Sequence, residues 1–477
     1  MERTGYALIE LRLCRVKGDA HCCMEWLLEC LCSYQLYNTC ALNLNQYTLL
    51  IMFQVTRKVL LLCSILVNCT SVTEQSPMKR APAQTHVFRE HFPQLRFRTD
   101  LKKHDRAEHD HLHQVVFIIK QKNMEELTRI LHDVSDPQSS NYGQHWTREE
   151  VIHFTSNPEA RDAVVSYLNS IGATVLSETL GGDMIEAEAT IMIWEKMLDT
   201  KYFTFHQTHI DGRIREVIAA ESYSIPLELD KHVVGVSRTI DVAILSPPVA
   251  PLSRKILKRN KNHLRSWSAA DWTQSDGKDY GILTPRKLRL YYNMTFATQG
   301  NIKSTQAVFA SNDQKFSPAN LLYFQKRYMS LSIQPVNLTI GNYSSDAYSW
   351  AHPDITSEAN LDVQWLKTTS PRSPTTFWHF NGNFDEFLQQ VANLEKPPLV
   401  ITISYGQDEL SVATYTKIQF NVQAIKLGAM GVTIFASSGD DGANGWMART
   451  DPINCGYQPN FPTTSPYVVS VGSTSVS

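Results

Sequence analysis

Hydrophobic positions in the carboxyl-terminal half of the chain group into short runs with a helical segment between them. Residues 399–404 (LVITIS) and 432–436 (VTIFA) are apolar and rich in β-branched side chains, as in strands covered on both faces. Residues 411–427 repeat apolar positions with helical periodicity, and Gly428 follows as a predicted C-cap. This order predicts a parallel βαβ unit with a right-handed crossover, and residues 467–471 predict a third strand.

The amino-terminal half shows a mixed pattern of helices and strands between residues 85 and 210. Thr147 and Glu150 have capping-box spacing, and Asn157-Pro158 combines an N-cap with proline at the first helical position. This pattern predicts a mainly antiparallel sheet packed against helices in two layers. The predicted strands are residues 114–121, 173–177, 183–188 and, as the last of the unit, 202–206; the predicted helices include residues 123–134 and 191–198.

A linker is predicted between these two halves, over residues 211–284. Its proline-containing stretch 246–251 (SPPVAP) should be extended. Residues 254–265 carry six basic side chains and no acidic one. Such a run fits a solvated charged segment and equally an exposed processing site between two domains. We therefore expect a first domain at residues 85–210 and a second at residues 285–477.

Charge and cysteine usage narrow the class of protein. The chain carries 45 basic and 47 acidic side chains without a one-sided basic domain, which argues against a nucleic-acid partner. Eight of the nine cysteines lie within the first 69 residues, and only Cys455 lies beyond them. Those in residues 1–51 lack the spacing and the matching histidines of a zinc finger, so the sequence predicts no metal site there.

The residues that follow Met52 have the layout of a secretory signal peptide, so Met52 is a second candidate for the start of translation. Residues 57–58 are basic, residues 59–67 (VLLLCSILV) are apolar, and small residues follow. The apolar run is shorter than the about 20 residues that span a bilayer, so no stable membrane span is expected. We expect a signal peptide at residues 52–73 and a non-native extension at residues 1–51. The alternative is a genuine amino-terminal domain followed by an internal apolar strand.

Three glycosylation acceptors agree with passage through the secretory pathway. They are Asn293-Met-Thr, Asn337-Leu-Thr and Asn342-Tyr-Ser, all in one polar region. The signal and the acceptors together predict a lysosomal or extracellular location.

Two carboxylates four residues apart are the first candidates for chemistry. Glu358 and Asp362 share one face of a predicted helix in the segment SEANLDVQW. In a partly dry cleft both cannot ionise easily, so one pKa rises, and one carboxylate could act as a base while the other orients it. For the pair alone, a solvated acidic helix face is the commoner explanation.

Asp440 is the third candidate, in the segment FASSGDDGA after a predicted strand. Ligand sites of parallel sheets gather at the carboxyl ends of strands, where Tyr405-Gly406 also falls. A protonated Asp440 could donate a hydrogen bond to a developing oxyanion. The alternative is an Asx-type turn in which Asp440 or Asp441 binds its own backbone. A calcium loop is disfavoured because the ligand spacing and the distal glutamate are missing.

These segments occur together in an order that resembles one peptidase family. Glu-x-x-x-Asp on a helix, Ser-Tyr-Gly at residues 404–406, FASSGDDGA at 435–443 and FPTTSPYVVSVG at 461–472 resemble the sedolisins, the serine-carboxyl peptidases. The unit before them resembles the activation prodomain of that family, including VSDPQSSNYG at 134–143 and LTPRKL at 283–288. The combination is far more specific than any of its pieces.

The resemblance implies a role for each candidate residue. Glu358 would be the general base, Asp362 the carboxylate that supports it and Asp440 the oxyanion-hole acid. The implied α/β fold is a subtilisin-like parallel-sheet catalytic domain, incomplete in this chain, preceded by a ferredoxin-like α+β prodomain. The prodomain would act as the intramolecular inhibitor of a zymogen, and the substrate would be a peptide or an unfolded protein. Calcium is expected for the complete family member, with its ligands outside this chain.

The resemblance places the nucleophilic serine beyond this chain. The serine segment of the family follows the strand on which this sequence ends, so we reject Ser475 in the terminal GSTSVS as nucleophile. Cys455, a lone cysteine in a secreted protein, suggests a partner elsewhere. We expect an acid-acting serine peptidase precursor, releasing tripeptides rather than cleaving internally, that is inactive as this chain. The alternative is a non-catalytic secreted glycoprotein that binds peptides or a full-length relative.

A group of histidines is the remaining candidate. His109, His111 and His113 would share one face of an extended strand, with His104 nearby in the sequence. They could bind a metal, or repel one another when protonated in acid. A polar strand entry is the commoner explanation.

Overall fold

The computed structural model describes most of the two predicted domains. Within that part of the chain, no helix is long and apolar enough to cross a membrane. The described residues are 85–92, 100–208, 214–242, 283–294, 299–311, 314–328, 333–341, 346–351, 353–445, 448 and 455–473.

The described chain contains both strands and helices. The strands are β1 (His86–His91), β2 (Leu101–Arg106), β3 (Leu112–Ile119), β4 (Thr174–Glu178), β5 (Met184–Thr190), β6 (Tyr202–Thr208), β7 (Ile214–Ala220), β8 (Ser222–Pro226), β9 (Val233–Ser237), β10 (Gln306–Ala310), β11 (Leu338–Ile340), β12 (Thr375–His379), β13 (Val400–Ile403), β14 (Gln407–Asp408), β15 (Thr433–Ser437), β16 (Asn460–Phe461) and β17 (Val469–Val471). The α-helices are α1 (Met124–Ser135), α2 (Arg148–Thr155), α3 (Pro158–Ser170), α4 (Ile191–Met197), α5 (Pro285–Tyr291), α6 (Pro318–Tyr328), α7 (Asp346–Ala351), α8 (Pro353–Thr369), α9 (Phe384–Ala392) and α10 (Thr414–Ala429).

The first half is built on a four-stranded antiparallel sheet in the order β4-β5-β3-β9. Along the chain its parts run β3, helices α1 to α3, β4, β5, helix α4 and β9. This connectivity and strand order are those of a ferredoxin-like sheet, and they confirm the predicted α+β unit. Phe117, Ile185 and Trp194 are fully buried in its core.

The prediction that residues 202–206 form the last strand of this unit is wrong. Strands β7, β8 and β9 follow, inside the segment that the sequence assigned to a linker. β7 pairs with β6, and β9 completes the main sheet beside β3. Strand β7 buries only its last two residues and β9 has five residues, so neither produces a clear alternation of apolar and polar positions.

Local signals read from the sequence form the expected helix starts. The Thr147 side chain accepts a hydrogen bond from the Glu150 amide, and the Glu150 carboxylate accepts one from the Thr147 amide, which is a complete capping box. Asn157 caps α3, with Pro158 as its first residue. Each interaction satisfies amides that a helix leaves unpaired at its first turn.

The second half contains a six-stranded sheet in the order β11-β12-β10-β13-β15-β17. Every neighbouring pair in it is parallel, which confirms the predicted α/β architecture and the βαβ unit β13-α10-β15. Strand β10, in the interior of the sheet, is buried at all five residues, whereas the edge strand β17 is exposed at all three. The fully buried aromatic side chains of this core are Phe309, Phe377, Phe387, Phe420 and Phe461.

Gly428 has a different role from the predicted C-cap. It lies inside α10, which continues to Ala429, and Gly431 with φ 87° follows the helix end. A Cβ atom at Gly428 would lie 2.6 Å from Leu131 Cδ1 of α1. The glycine therefore permits the close approach of α1 and α10, a tertiary contact that a helix-ending pattern does not reveal.

Helix α10 is held by groups from the first half of the chain at both ends. Ala413 at its N-cap offers no side-chain hydrogen bond; instead the Glu90 carboxylate accepts bonds of 2.8 and 3.0 Å from the Thr414 amide. Near the other end, Lys426 Nζ and Gln423 Nε2 each donate to Asp183 Oδ2 at 2.7 Å. Residues Gln84–Ser477 form one compact unit, and these bonds join its two halves.

The Asp183–Lys426 ion pair is buried, since both side chains are less than a tenth exposed. Burial alone would raise the pKa of Asp183, but the charge of Lys426 and several hydrogen bonds outweigh burial and lower that pKa to about 2. The pair contributes stability above the unfolded carboxyl pKa and loses it only as the pH falls towards 2. It therefore remains ionised in any ordinary acid compartment.

We expect Lys426→Met to lower the free energy of unfolding by about 3–5 kcal/mol, because it leaves the Asp183 carboxylate buried without a cation. Denaturant unfolding of the whole chain at pH 7 measures the change. The control is the double variant Asp183→Asn with Lys426→Met, which should recover part of the loss. A single variant as stable as the parent would contradict the role of the pair.

Candidate functional site

Glu358 and Asp362 lie on α8 with their side chains directed to the carboxyl end of β13. Ser404 comes directly after that strand, and its Oγ donates a hydrogen bond of 2.7 Å to Asp362 Oδ1. Asp362 Oδ2 is inaccessible to solvent and has no hydrogen-bond partner among the described residues. The predicted pair thus occupies a largely dry site at the sheet edge rather than a solvated helix face.

The surroundings of both carboxyl groups raise their pKa values. Burial, followed by the charges of Asp362 and Asp440, raises the pKa of Glu358 to about 8. Burial raises the pKa of Asp362 to about 7, although the hydrogen bond from Ser404 lowers it. Two interacting carboxyls of this kind titrate as a pair, so near neutral pH they share a proton.

Asp440 belongs to the same site. It is exposed on the loop that follows β15, after Gly439 with φ 88°. Its charge contributes to the raised pKa of Glu358, so the two carboxyl groups lie near each other. The structure therefore places Glu358, Asp362 and Asp440 near the carboxyl ends of β13 and β15, and their catalytic roles stay predictions.

Asn460 is a residue of this region that the sequence did not single out. Its side chain lies between the backbones of Gly406 and Gly439, where Cβ atoms would approach Asn460 Oδ1 to 2.2 Å and Asn460 Nδ2 to 2.7 Å. Strand β16 holds it there by pairing with β14. In the sequence, only the two glycines indicated this contact, since a glycine after a strand often marks a place where another group approaches the backbone closely.

Chemically, the site combines a carboxyl pair that can accept one proton with a third carboxyl that can donate a hydrogen bond. A buried pair sharing a proton can take a proton from a hydroxyl nucleophile. A third carboxylic acid near the pair can stabilise negative charge on an oxygen by donating a hydrogen bond. Tyr405 is buried beside the pair, and burial together with the charges of Asp362 and Glu358 raises the pKa of its phenol well above the usual value.

The glycosylation acceptors differ in their surroundings. Asn293 is exposed just after α5, at φ 51°. Asn337 is also exposed, although its Oδ1 accepts a hydrogen bond of 2.8 Å from the Thr375 amide. Asn342 lies outside the described residues, as do Ser475, residues 52–73, residues 1–51 and the basic stretch 254–265.

The predicted histidine face is wrong. His109 lies in a turn before β3, and of the three alternating histidines only His113 is in the strand. His113 Nε2 is within 2.8 Å of the Arg238 carbonyl oxygen, and burial lowers the pKa of this histidine. His104 stacks instead on His206, with ring centroids 3.7 Å apart. The turn at residues 109–110 separates the side chains that a continuous strand would have aligned.

Metal ligands are not clustered in the described part of the chain. No group of three or more His, Cys, Asp or Glu side chains there could hold a metal ion. Cys455 is exposed, with its thiol 3.5 Å from Asn444 Oδ1.

Comparisons with known proteins agree with this architecture. Residues 99–242 match the family "Pro-kumamolisin, activation domain". Physarolisin of Physarum polycephalum is 29% identical over 80% of this chain and 63% of its own length. Tripeptidyl-peptidase 1 of Dictyostelium discoideum is 26% identical over 85% of this chain and 69% of its own. The human tripeptidyl-peptidase 1 is 26% identical over 78% of this chain and 63% of its own.

A solved Pseudomonas sedolisin, a serine-carboxyl proteinase complexed with pseudo-iodotyrostatin, has a TM-score of 0.31 and 20% identity, over 41% of this chain and 54% of that chain. The activation-domain match and the sequence relatives show that the chain is similar to peptidases of the sedolisin type, the serine-carboxyl peptidases. Among these relatives it resembles tripeptidyl-peptidase 1. The chain spans 63% of physarolisin and of the human relative, and so less than two thirds of each.

The carboxyl pair should make the folded chain less stable as the pH rises. Their unfolded pKa values lie near 4, and their folded values are raised to about 7 and about 8. The stabilising contribution is complete below about pH 4 and is lost as the pH rises through 7 to 8. The free energy of unfolding of the parent should therefore fall between pH 5 and pH 9. In Asp362→Asn this fall should be smaller by about 1 kcal/mol or more.

Denaturant unfolding at several pH values checks this expectation. The control is Asp162→Asn, which removes an exposed carboxylate of the first half of the chain. If Asp362→Asn and Asp162→Asn give the same pH profile as the parent, the pair does not have the raised pKa values described here.

Proposed function

We propose that the chain belongs to the precursor of an acid-acting serine peptidase that hydrolyses peptide bonds through an acyl-enzyme. The observation that carries the proposal is the dry carboxyl pair Glu358–Asp362 beside Asp440, at the edge of a parallel sheet. The family relatives named tripeptidyl-peptidases agree with release of tripeptides from free amino termini. We infer a route through the secretory pathway to a lysosomal or extracellular location.

In the proposed mechanism Glu358 is the general base. It takes the proton of a serine hydroxyl as the serine oxygen attacks the carbonyl carbon of the peptide bond. Asp362 orients Glu358 and spreads the charge of the pair. Asp440, in its protonated form, donates a hydrogen bond to the carbonyl oxygen as it becomes an oxyanion. The proton held by Glu358 then passes to the leaving amine, and water releases the acyl group by the reverse sequence.

The pKa values set a condition on this mechanism. A pair with pKa values of about 7 and 8 is protonated in acid, whereas the proposed base must be ionised there. The active form must therefore hold the pair at a lower pKa than this structure does. Hydrogen bonds donated to a carboxylate lower its pKa, and a bound nucleophile supplies one. Calcium has no part in the proposed steps.

We infer that the first half of the chain is the activation domain and acts as an intramolecular inhibitor. The match of residues 99–242 to an activation domain supports this assignment. So do the bonds by which Glu90 and Asp183 hold α10 of the second half. Both would have to break when the domain leaves.

Three substitutions test the catalytic roles in the protein encoded by the complete open reading frame of the gene. At about pH 4, Glu358→Gln and Asp362→Asn should each lower kcat/KM by about 10²–10⁴ for a tripeptidyl substrate with a free amino terminus. Asp440→Asn should lower it by about 10²–10³, because the oxyanion loses its donor acid.

Glu409→Gln is the matched control, since Glu409 lies in the same domain on the short helix Glu409–Ser411 after β14. An acetylated amino terminus should abolish cleavage if the peptidase releases tripeptides. Full activity in Glu358→Gln would refute the assignment of the base. Complete inactivity of the parent protein would favour the non-catalytic glycoprotein.

The exposed acceptors predict glycans in a secretory host. Peptide-N-glycosidase should lower the apparent mass of the secreted chain, and Asn293→Gln should remove one step of that shift. Asn337→Gln should remove a second step of that shift. It should also remove the hydrogen bond that Asn337 accepts from the Thr375 amide, which Asn293→Gln does not affect. An unchanged mass after enzyme treatment would exclude modification at both.

A further inference from the structure

The side chain of Asn460 separates the two backbone segments that follow β13 and β15. A Cβ atom at Gly406 would lie 2.2 Å from Asn460 Oδ1, and one at Gly439 would lie 2.7 Å from Asn460 Nδ2. Neither distance leaves room for a side chain, so glycine is needed on both sides of this amide. The amide therefore packs directly against two backbones.

The two backbone segments in contact with Asn460 carry groups of the candidate site. Ser404, two residues before the first glycine, donates its hydroxyl proton to Asp362 Oδ1 at 2.7 Å. Asp440 directly follows the second glycine. Asn460 thus lies between the backbone that contacts the carboxyl pair and the backbone that carries the third carboxyl group.

The backbone around Asn460 is fixed independently of its side chain. Strand β16 pairs with β14, which places Asp408 opposite Asn460. The next residue, Phe461, is buried in the core of the parallel sheet. The backbone amide of Gln458 donates a hydrogen bond of 2.8 Å to the carbonyl oxygen of Ala443, on the loop after β15. The Asn460 side chain therefore projects from a firmly held strand.

One atom of the Asn460 amide gains no hydrogen bond from this position. Asn460 Oδ1 is inaccessible to solvent and has no hydrogen-bond partner among the described residues. An unsatisfied buried acceptor costs about 1–3 kcal/mol, and such groups are rare in native proteins. The oxygen is therefore held there at a cost in stability, and its contribution is the space it fills between the two backbones.

We propose that Asn460 is a positioning residue, which keeps Asp440 at a fixed distance from the Glu358–Asp362 pair by filling the space between the two backbones. The inference rests on the function proposed above for these carboxyl groups. Loops are ordinarily the more mobile parts of a site, and Asp440 is exposed on such a loop. The contact with Gly439 restricts the residue that directly precedes it.

The position of Asp440 can be measured without turnover. The carboxyl carbons of Asp and Glu in the whole 477-residue chain are labelled with ¹³C, and the NMR signal that vanishes in Glu358→Gln is followed against pH. Asp440→Asn should lower the pH of this titration by about half a unit, because a nearby negative charge is removed. In the Asn460→Ala background the same substitution should have roughly half that effect or less, because Asp440 is no longer held near Glu358.

A substitution at Gly406 tests whether the size of the amide is what matters. Gly406→Ala alone places a methyl group against Asn460 and should lower the free energy of unfolding. In the double variant with Asn460→Ala, the methyl group occupies the vacated space. Stability and the effect of Asp440→Asn on the titration of Glu358 should then return towards the parent values.

Two controls separate this effect from a general loss of stability. Gly439→Ala is strained by its φ of 88° whatever side chain stands at position 460, so Asn460→Ala should not restore it. Ser465→Ala removes a hydrogen bond of 2.6 Å to Asn421 Oδ1 on the same segment as Asn460. It should lower stability without changing the effect of Asp440→Asn on the titration.

Kinetics of the protein encoded by the complete open reading frame give a second readout. Asn460→Ala should lower kcat by about tenfold with little change in KM, which is part of the loss expected when an oxyanion donor is removed. Adding Asn460→Ala to Asp440→Asn should lower kcat little further, because both changes affect the same interaction.

An undiminished effect of Asp440→Asn in the Asn460→Ala chain would overturn the inference, and so would a Gly406→Ala change that restores nothing. If Asn460→Ala does not fold, Asn460→Ser takes its place in both measurements. Titrations that behave as expected in an inactive complete protein would refute the proposed function and leave the positioning role intact. An active enzyme whose titrations ignore Asn460 would refute the positioning role alone.

Discussion

The packing of helix α10 between two sheets is the constraint on which the rest of the structure depends. Tyr415 lies in the core of the first half, whereas Phe420 and Leu427 lie in the core of the parallel sheet. A single helix is therefore buried on two sides, and both halves of the chain need it to cover their apolar surfaces. The N-cap residue of α10 makes no side-chain hydrogen bond. Glu90 of the first half accepts a hydrogen bond from the first turn of the helix instead.

Buried carboxylates take two contrasting forms in this protein. Asp183 is paired with Lys426, and the attraction keeps it ionised far into the acid range. Glu358 and Asp362 are paired with each other, and the same scarcity of water keeps them protonated towards neutral pH. The first arrangement joins the two halves of the chain with a fixed charge. The second leaves a proton that can move, which is what general-base chemistry requires.

Features with a local cause could be predicted from the sequence, and features with a distant cause could not. The capping box at Thr147 and the strands around α10 follow from neighbouring residues, and the structure confirms them. The face shared by Glu358 and Asp362 also follows from helical spacing, whereas their dryness depends on the sheet above them. Strand β9 escaped prediction because only its partner β3 makes it a strand. Gly428 was misread because its purpose is a contact with Leu131, far away in the sequence.

The wedge formed by Asn460 has a consequence for how this site can vary among proteins. The amide of one side chain fills the space between Gly406 and Gly439, so its size sets how closely the backbones of these two glycines approach each other. A bulkier residue at either glycine would require a smaller one at position 460, and the reverse also holds. The three positions should therefore change together in evolution, so that the space between the two backbones stays filled without a clash.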